Sequence, residues 1–196
     1  MWNERYAGDD YFYGTEPNSF LAEHAKSLKG PVLSLAEGEG RNAVFLASLG
    51  LDVLGVDSSE VGLAKAQKLA TEKGVRIRTA LTDLADYTPP PDVFGSVISI
   101  FAHLPGRLRQ RLYPLVERSL KPGGILLLEA YTLAQLPKNT GGPKDPDMLM
   151  SAAGLRQDFP HCEVILAREI DRDVLEGGHR FGGMGSVVQF IARKKP

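Results

Sequence analysis

The chain has 196 residues, 43% of them hydrophobic and 24% charged, with a formal net charge of −1. That length suits a single domain, residues 1–196, with a sizeable core, and the charge balance lacks the basic footprint of a nucleic-acid binder. The one cysteine, Cys162, excludes a disulfide framework or a cysteine metal cluster. No charged-then-apolar leader opens the chain and no apolar run nears the ~20 residues of a membrane span, so a soluble, cytoplasmic protein with no membrane partner is expected.

Residues 1–17 form an arm rich in aromatic side chains, including Trp2, Tyr6, Tyr11, Phe12 and Tyr13, without a clean helical or strand period. The arm either covers the core or closes over a ligand. Asn18 or Ser19 caps a helix reaching Leu28, with Phe20, Leu21, His24 and Leu28 on one face. Residues 32–35 read as a strand entering a tight turn, Ala36-Glu37-Gly38-Glu39-Gly40, that opens a helix near Arg41. The glycines let the backbone approach a ligand, and the first helical turn offers unpaired N–H groups. Gly38 and Gly40 with Ala43 also satisfy the dinucleotide-binding fingerprint, and two glycines in a loop can mean only a turn.

Gly50 ends that helix, and residues 53–56 form a second strand that finishes on Asp57, a carboxylate suited to both hydroxyls of a ribose. Ser58 or Ser59 caps the next helix, which runs to near Gly74, and residues 75–79 read as a third strand. The loop 80–92 holds Asp83 and Asp86. Residues 93–101 are a nearly unbroken apolar run, the pattern of a central parallel strand buried on both faces. His103 follows it. A helix over 107–120, a turn at 121–124 and a fifth strand over 125–130 complete a core spanning residues 18–131.

Strand and helix alternate throughout that core, which predicts a parallel sheet with helices on both faces. Ligands of such sheets bind beyond the carboxyl ends of the strands, where residues 37–40, Asp57, Asp83, His103 and Tyr131 all fall. The pattern changes over 132–196, to a loop, a helix around 147–159 and strands over 163–175 and 185–193. These two strands flank a glycine-rich segment containing His179 and Arg180 and predict an antiparallel hairpin.

Several stretches together resemble the class I S-adenosylmethionine-dependent methyltransferases, and among them the tellurite-resistance (TehB-like) group. They are residues 2–6, 13–18, 36–42, 101–105, 129–131 and 185–189, with the Lys121-Pro122-Gly123-Gly124 turn before the fifth strand. The resemblance implies a Rossmann-like α/β fold, a seven-stranded mostly parallel sheet ending in an antiparallel hairpin. It also implies S-adenosylmethionine as cofactor and S-adenosylhomocysteine as product. It assigns Ala36, Glu37, Gly38, Gly40 and Asn42 to the loop around the cofactor's amino-acid part, and Asp57 with Ser58 to the ribose. Asp83 and the Leu84 backbone fall to the adenine and His103 to the neighbourhood of the methyl group. Tyr13, a cofactor-site candidate on the arm, either covers the cofactor or packs on the core. Ser34 stands where the class has Asp and Ala36 where it has Gly, and Glu37 and Glu39 are the carboxylates left to meet the cofactor's amine.

Methyl transfer is an in-line displacement with a good leaving group, so alignment and water exclusion are the main tasks. A soft anion such as a thiolate, selenide or telluride needs no base. The expected partner is a small acceptor, with His103, His179 and Arg180 as catalytic candidates. His179 and Arg180 either hold an anionic acceptor by charge-assisted hydrogen bonds or form a solvated hairpin tip. Two other readings stand beside this one, an NAD-binding oxidoreductase and a non-catalytic S-adenosylmethionine-binding protein. Sequence leaves a monomer and a homodimer equally open.

Overall fold

The computed structural model describes residues 1–175 and 183–196. One sheet takes up every strand, in the order β3-β2-β1-β4-β5-β7-β6. β1 (Val32–Leu35), β2 (Val53–Asp57), β3 (Arg78–Leu81), β4 (Phe94–Ile100) and β5 (Leu120–Tyr131) pair in parallel. β7 (Met184–Lys194) lies antiparallel between β5 and β6 (Cys162–Asp173). The order reverses between β1 and β4, which opens a crevice at the carboxyl ends of the strands.

Each face of the sheet is apolar because helices cover both. On one face α2 (Ser19–His24), α3 (Arg41–Ser48) and α4 (Glu60–Glu72) bury Phe20, Leu46, Leu69 and Ala66 against Val32, Val53 and Ile98. On the other, α5 (Gly106–Ser119) and α6 (Ala152–Asp158) bury Leu112, Val116 and Leu155 against Leu33, Val97, Leu126 and Phe190. All seven residues of β4 are buried, as its unbroken apolar run requires. Cys162 is buried too, and burial pushes its thiol up to about 12, which makes it a packing residue rather than a nucleophile.

The arm contains a short helix, α1 (Trp2–Arg5), that the sequence pattern does not announce. The helix expected to reach Leu28 stops at His24 and tightens into a 3₁₀ turn, Ala25–Ser27, where Ser27 Oγ donates to the His24 carbonyl. β3 begins later than expected because Val75 N–H still closes the end of α4 on Ala70 O. The helix expected over 147–159 divides into a 3₁₀ turn, Pro146–Met148, and α6, which Ser151 caps through Gly154 N–H.

Candidate active site

β1 delivers the chain to a turn in which Ala36, Gly38 and Gly40 all have positive φ, at 50°, 63° and 94°. Protein packing on its own requires both glycines. A Cβ on Gly38 would lie 2.8 Å from the Tyr6 hydroxyl, and one on Gly40 would lie 2.6 Å from Ala66 Cα of α4. Ala36 carries a left-handed strain that its glycine alternative would avoid, about 1–2 kcal/mol.

Three carboxylates gather at this turn, each fixed differently. Glu37 folds inward beneath α3, accepts from the Ser34 hydroxyl and takes Ala43 N–H at 2.9 Å. Its carboxyl therefore occupies the space above Ser34. Burial pushes it up to about 7, against the hydrogen bonds from Ser34 and Ala43. Glu39 is buried, paired with Lys65 Nζ at 2.8 Å, and takes Phe12 N–H at 2.7 Å from the arm. Asp57 accepts Gly38 N–H on one oxygen and Ser59 N–H on the other, both at 2.8 Å. Desolvation raises it above the usual aspartate range, opposed by those backbone donors. The Ser58 backbone is a third donor, and a carboxylate has about four acceptor positions, so Asp57 keeps room for a further donor.

The other strand ends complete the crevice. Asp83 is exposed and accepts Ala85 N–H at 2.8 Å, while Leu84 is buried in the core. Beyond β4, Phe101 turns left-handed, φ 52°, and donates its N–H to Glu129 O of β5 at 2.8 Å. Tyr131 stacks on His103, ring centroids 5.4 Å apart and planes 10° off parallel, and lies 4.8 Å from Phe101. His103 Nε2 accepts Tyr131 N–H at 3.0 Å. Desolvation pulls His103 down to about 4 despite a hydrogen bond with the Phe101 backbone. The imidazole is neutral at physiological pH, and its Nε2 lone pair is already engaged.

The structure thus joins the glycine loop to Asp57 and His103 to Tyr131, the two pairs standing at the carboxyl ends of strands of one sheet. Asn42 lies in the first turn of α3, its Oδ1 taken by Asn18 N–H at 2.9 Å. Ser58 is exposed beside Asp57. Tyr13 is half-buried, its hydroxyl 3.4 Å from an Arg5 guanidinium nitrogen. His179 and Arg180 lie outside the described residues.

Sequence reasoning left Tyr6 between covering the core and closing over a ligand, and passed over Asn3 and Lys65 as anchors of the arm. Tyr6 is 5% exposed and packs on Gly38, and burial with the nearby Asp57 charge pushes its hydroxyl above the usual phenol range. Asn3 Oδ1 accepts from Ser59 Oγ at 2.7 Å, and Lys65 Nζ donates to Asp10 O at 2.8 Å. The signal was the run of aromatic and polar residues over 2–6, which has no period and so gave no face.

Comparison with known proteins agrees with this layout. A family model described as a methyltransferase domain matches residues 32–124. The chain is 27% identical over 126 residues to a 2-heptyl-1-hydroxyquinolin-4(1H)-one methyltransferase of Mycobacteroides abscessus, covering 63% of this chain and 55% of that protein. The chain therefore spans about half the length of that relative. Among solved structures, one from work on conversion of a disulfide bond into a thioacetal group during echinomycin biosynthesis superposes with TM-score 0.79 at 19% identity. That match covers 98% of this chain and 88% of the other. TehB from Haemophilus influenzae superposes with TM-score 0.73 at 20% identity, over 89% of this chain and 61% of that one. At these identities the structures speak for the fold. The methyltransferase-domain model thus covers β1 to the start of β5, a little under half of the chain, and the sheet as a whole has the fold of these solved structures, so the chain is similar to S-adenosylmethionine-dependent methyltransferases in that stretch and in its architecture.

Proposed function

We propose that this chain transfers a methyl group from S-adenosylmethionine to a small, soft or anionic acceptor, with tellurite, selenite and thiols as the first to try. The observation that carries the reading is Asp57. It stands at the end of β2, where ligands of such sheets bind, fixed by the backbone N–H groups of Gly38, Ser58 and Ser59 and with acceptor capacity left for a ribose hydroxyl. When bound, S-adenosylmethionine supplies an electrophilic methyl group on a sulfonium.

The chain's residues supply position and surroundings. Asp57 and the glycine loop fix the nucleoside end, and Asp83 with the Leu84 backbone borders the adenine. The rings of Phe101, His103 and Tyr131 give an aromatic wall suited to a cation, and exclude water behind it. His103, neutral and accepting the Tyr131 N–H, takes no proton from the acceptor in this arrangement. The acceptor therefore arrives ionised, which is what a thiolate or a chalcogen oxyanion does unaided. His179 and Arg180, on the segment after β6, are the candidates to hold its negative charge.

The dinucleotide alternative fares worse. Its usual sheet order is 3-2-1-4-5-6, whereas here an antiparallel β7 is inserted between β5 and β6.

Calorimetric titration with S-adenosylhomocysteine, with NAD as control, tests the reading. Micromolar binding is expected, at least roughly ten-fold weaker in Asp57→Asn, a difference of about 1.4 kcal/mol. Asp57→Ala should be weaker still, because it also orphans the backbone N–H groups that hold the carboxylate. Binding of NAD instead would sink the reading. Tight binding without turnover on thiols, selenite or tellurite would leave a binding protein.

A further inference from the structure

The face of the sheet that carries α2 holds a buried charge cluster outside the crevice, centred on Glu129, which is fully buried two residues before Tyr131. Its two carboxylate oxygens accept four hydrogen bonds. Arg172 of β6 forks onto both, Nε at 2.8 Å and Nη2 at 2.7 Å. Gln189 Nε2 of β7 reaches one oxygen at 2.7 Å, and Asn18 Nδ2 reaches the other at 2.6 Å. Arg168 Nε in turn donates to Gln189 Oε1 at 2.8 Å.

The donors come from the three segments that border the crevice. Asn18 ends the arm, caps α2 through Leu21 N–H, and donates its own N–H to Asn42 in the first turn of α3. Arg172 and Asp173 lie opposite Gly185 and Met184, the last rungs of the hairpin before the segment with His179 and Arg180. Glu129 O holds Phe101, the first residue of the aromatic wall. The Glu129 carboxylate thus joins the end of the arm, and through Asn18 the first turn of α3, to the acceptor-side hairpin, while its backbone carbonyl holds the aromatic wall.

A buried ion pair adds little net stability over well-packed apolar residues of the same volume. What it adds is a fixed geometry, since a forked guanidinium accepts few alternatives. We propose that Glu129 is a positioning residue that couples occupancy of the cofactor loop to the ordering of the hairpin end through Asn42, Asn18 and Arg172. This rests on the methyltransferase reading. It adds that the two halves of the site are set by one joint rather than independently. Spatial continuity is not coupling, so the claim stands on an energetic test.

Amide hydrogen exchange of the full chain, with and without S-adenosylhomocysteine, supplies it. In the wild type the ligand is expected to slow exchange in the first turn of α3 and at residues 171–173 and 184–186. In Glu129→Gln the slowing in α3 should remain, while the slowing at the hairpin end falls roughly five-fold or more, the lower range of a coupling free energy. Arg172→Lys keeps the positive charge but loses the fork, and should show the same loss. It decides the matter should Glu129→Gln fail to fold. A merely structural role would speed hairpin exchange with and without ligand and leave the ligand-induced difference intact, which would overturn the proposal. So would a wild type that binds the ligand without slowing its hairpin end. Calorimetry on the same samples separates these results from failure to bind at all, which would remove the methyltransferase reading and this proposal with it.

Discussion

Glu37 shows how a departure from a family pattern is absorbed at a single residue. The strand position that usually carries an acid holds Ser34, and the glutamate three residues on turns back so that its carboxyl lies on the serine hydroxyl. Buried there, it titrates near 7 rather than at an ordinary glutamate's 4.5. A carboxyl whose folded value is raised favours the folded state most below the unfolded value, and that contribution is lost as pH climbs through the folded one. The window therefore runs from about 4.5 to about 7, with a ceiling of about 3.5 kcal/mol at about 1.4 kcal/mol per unit. Desolvation of Asp57 works in the same direction. Glu37→Gln keeps an acceptor for Ala43 N–H and a partner for Ser34 but cannot ionise. Urea unfolding at pH 5, 6, 7 and 8 should show the wild type losing stability relative to the variant across that range. A constant difference between the two proteins would mean that Glu37 is ionised throughout.

At the scale of elements, the decisive contact is α3 against α4, where the glycine loop meets the second crossover helix. Gly40 has φ 94°, and a Cβ there would sit 2.6 Å from both Ala66 Cα and Ala66 Cβ. Backbone cannot yield as a flexible side-chain end can. Gly40→Ala should cost about 3 kcal/mol, combining left-handed strain with overpacking. Gly50→Ala is the control, with φ 87° and open space around its Cβ, and should cost only the strain, about 1–2 kcal/mol. Equal losses in denaturant melts would show that packing at Ala66 relaxes freely. These two glycines also mark the reach of sequence reading. Both were legible as turn formers, and β1, β2 and β4 were legible from their apolar runs. Gly40's tight neighbour, twenty-six positions away, was not. β3 was misplaced because an edge strand is set by pairing, Leu54 opposite Arg78, and not by its own pattern. The site divides the same way. Residues at strand ends, such as Asp57 and His103, follow from topology, whereas Asn18, Glu129, Arg172 and Gln189 meet only after the hairpin has paired with β5.

For the molecule as a whole, the last strand in sequence is an interior strand of the sheet. β7 pairs with β5 on one side and β6 on the other, and its side chains alternate between the two cores. Phe190 packs with Leu126 and Phe159 on the α5 face, and Ile191 with Ile125 and Leu127 on the α2 face. Neither face is finished until this strand is in place, so both should melt as one unit. Trp2, the chain's one tryptophan, reports from the opposite end of the sheet, stacked on Tyr6 beside the glycine loop. Phe190→Ala should cost about 3–5 kcal/mol and Ile191→Ala about 2–5 kcal/mol. For a domain of this size that lowers Tm by roughly 10 °C. In each variant the Trp2 emission transition and the far-UV circular dichroism transition should stay superimposed, as all-or-none unfolding demands. A Trp2 transition left at the wild-type temperature while the dichroism falls would divide the molecule into a cofactor-loop half that holds alone and a hairpin half that does not.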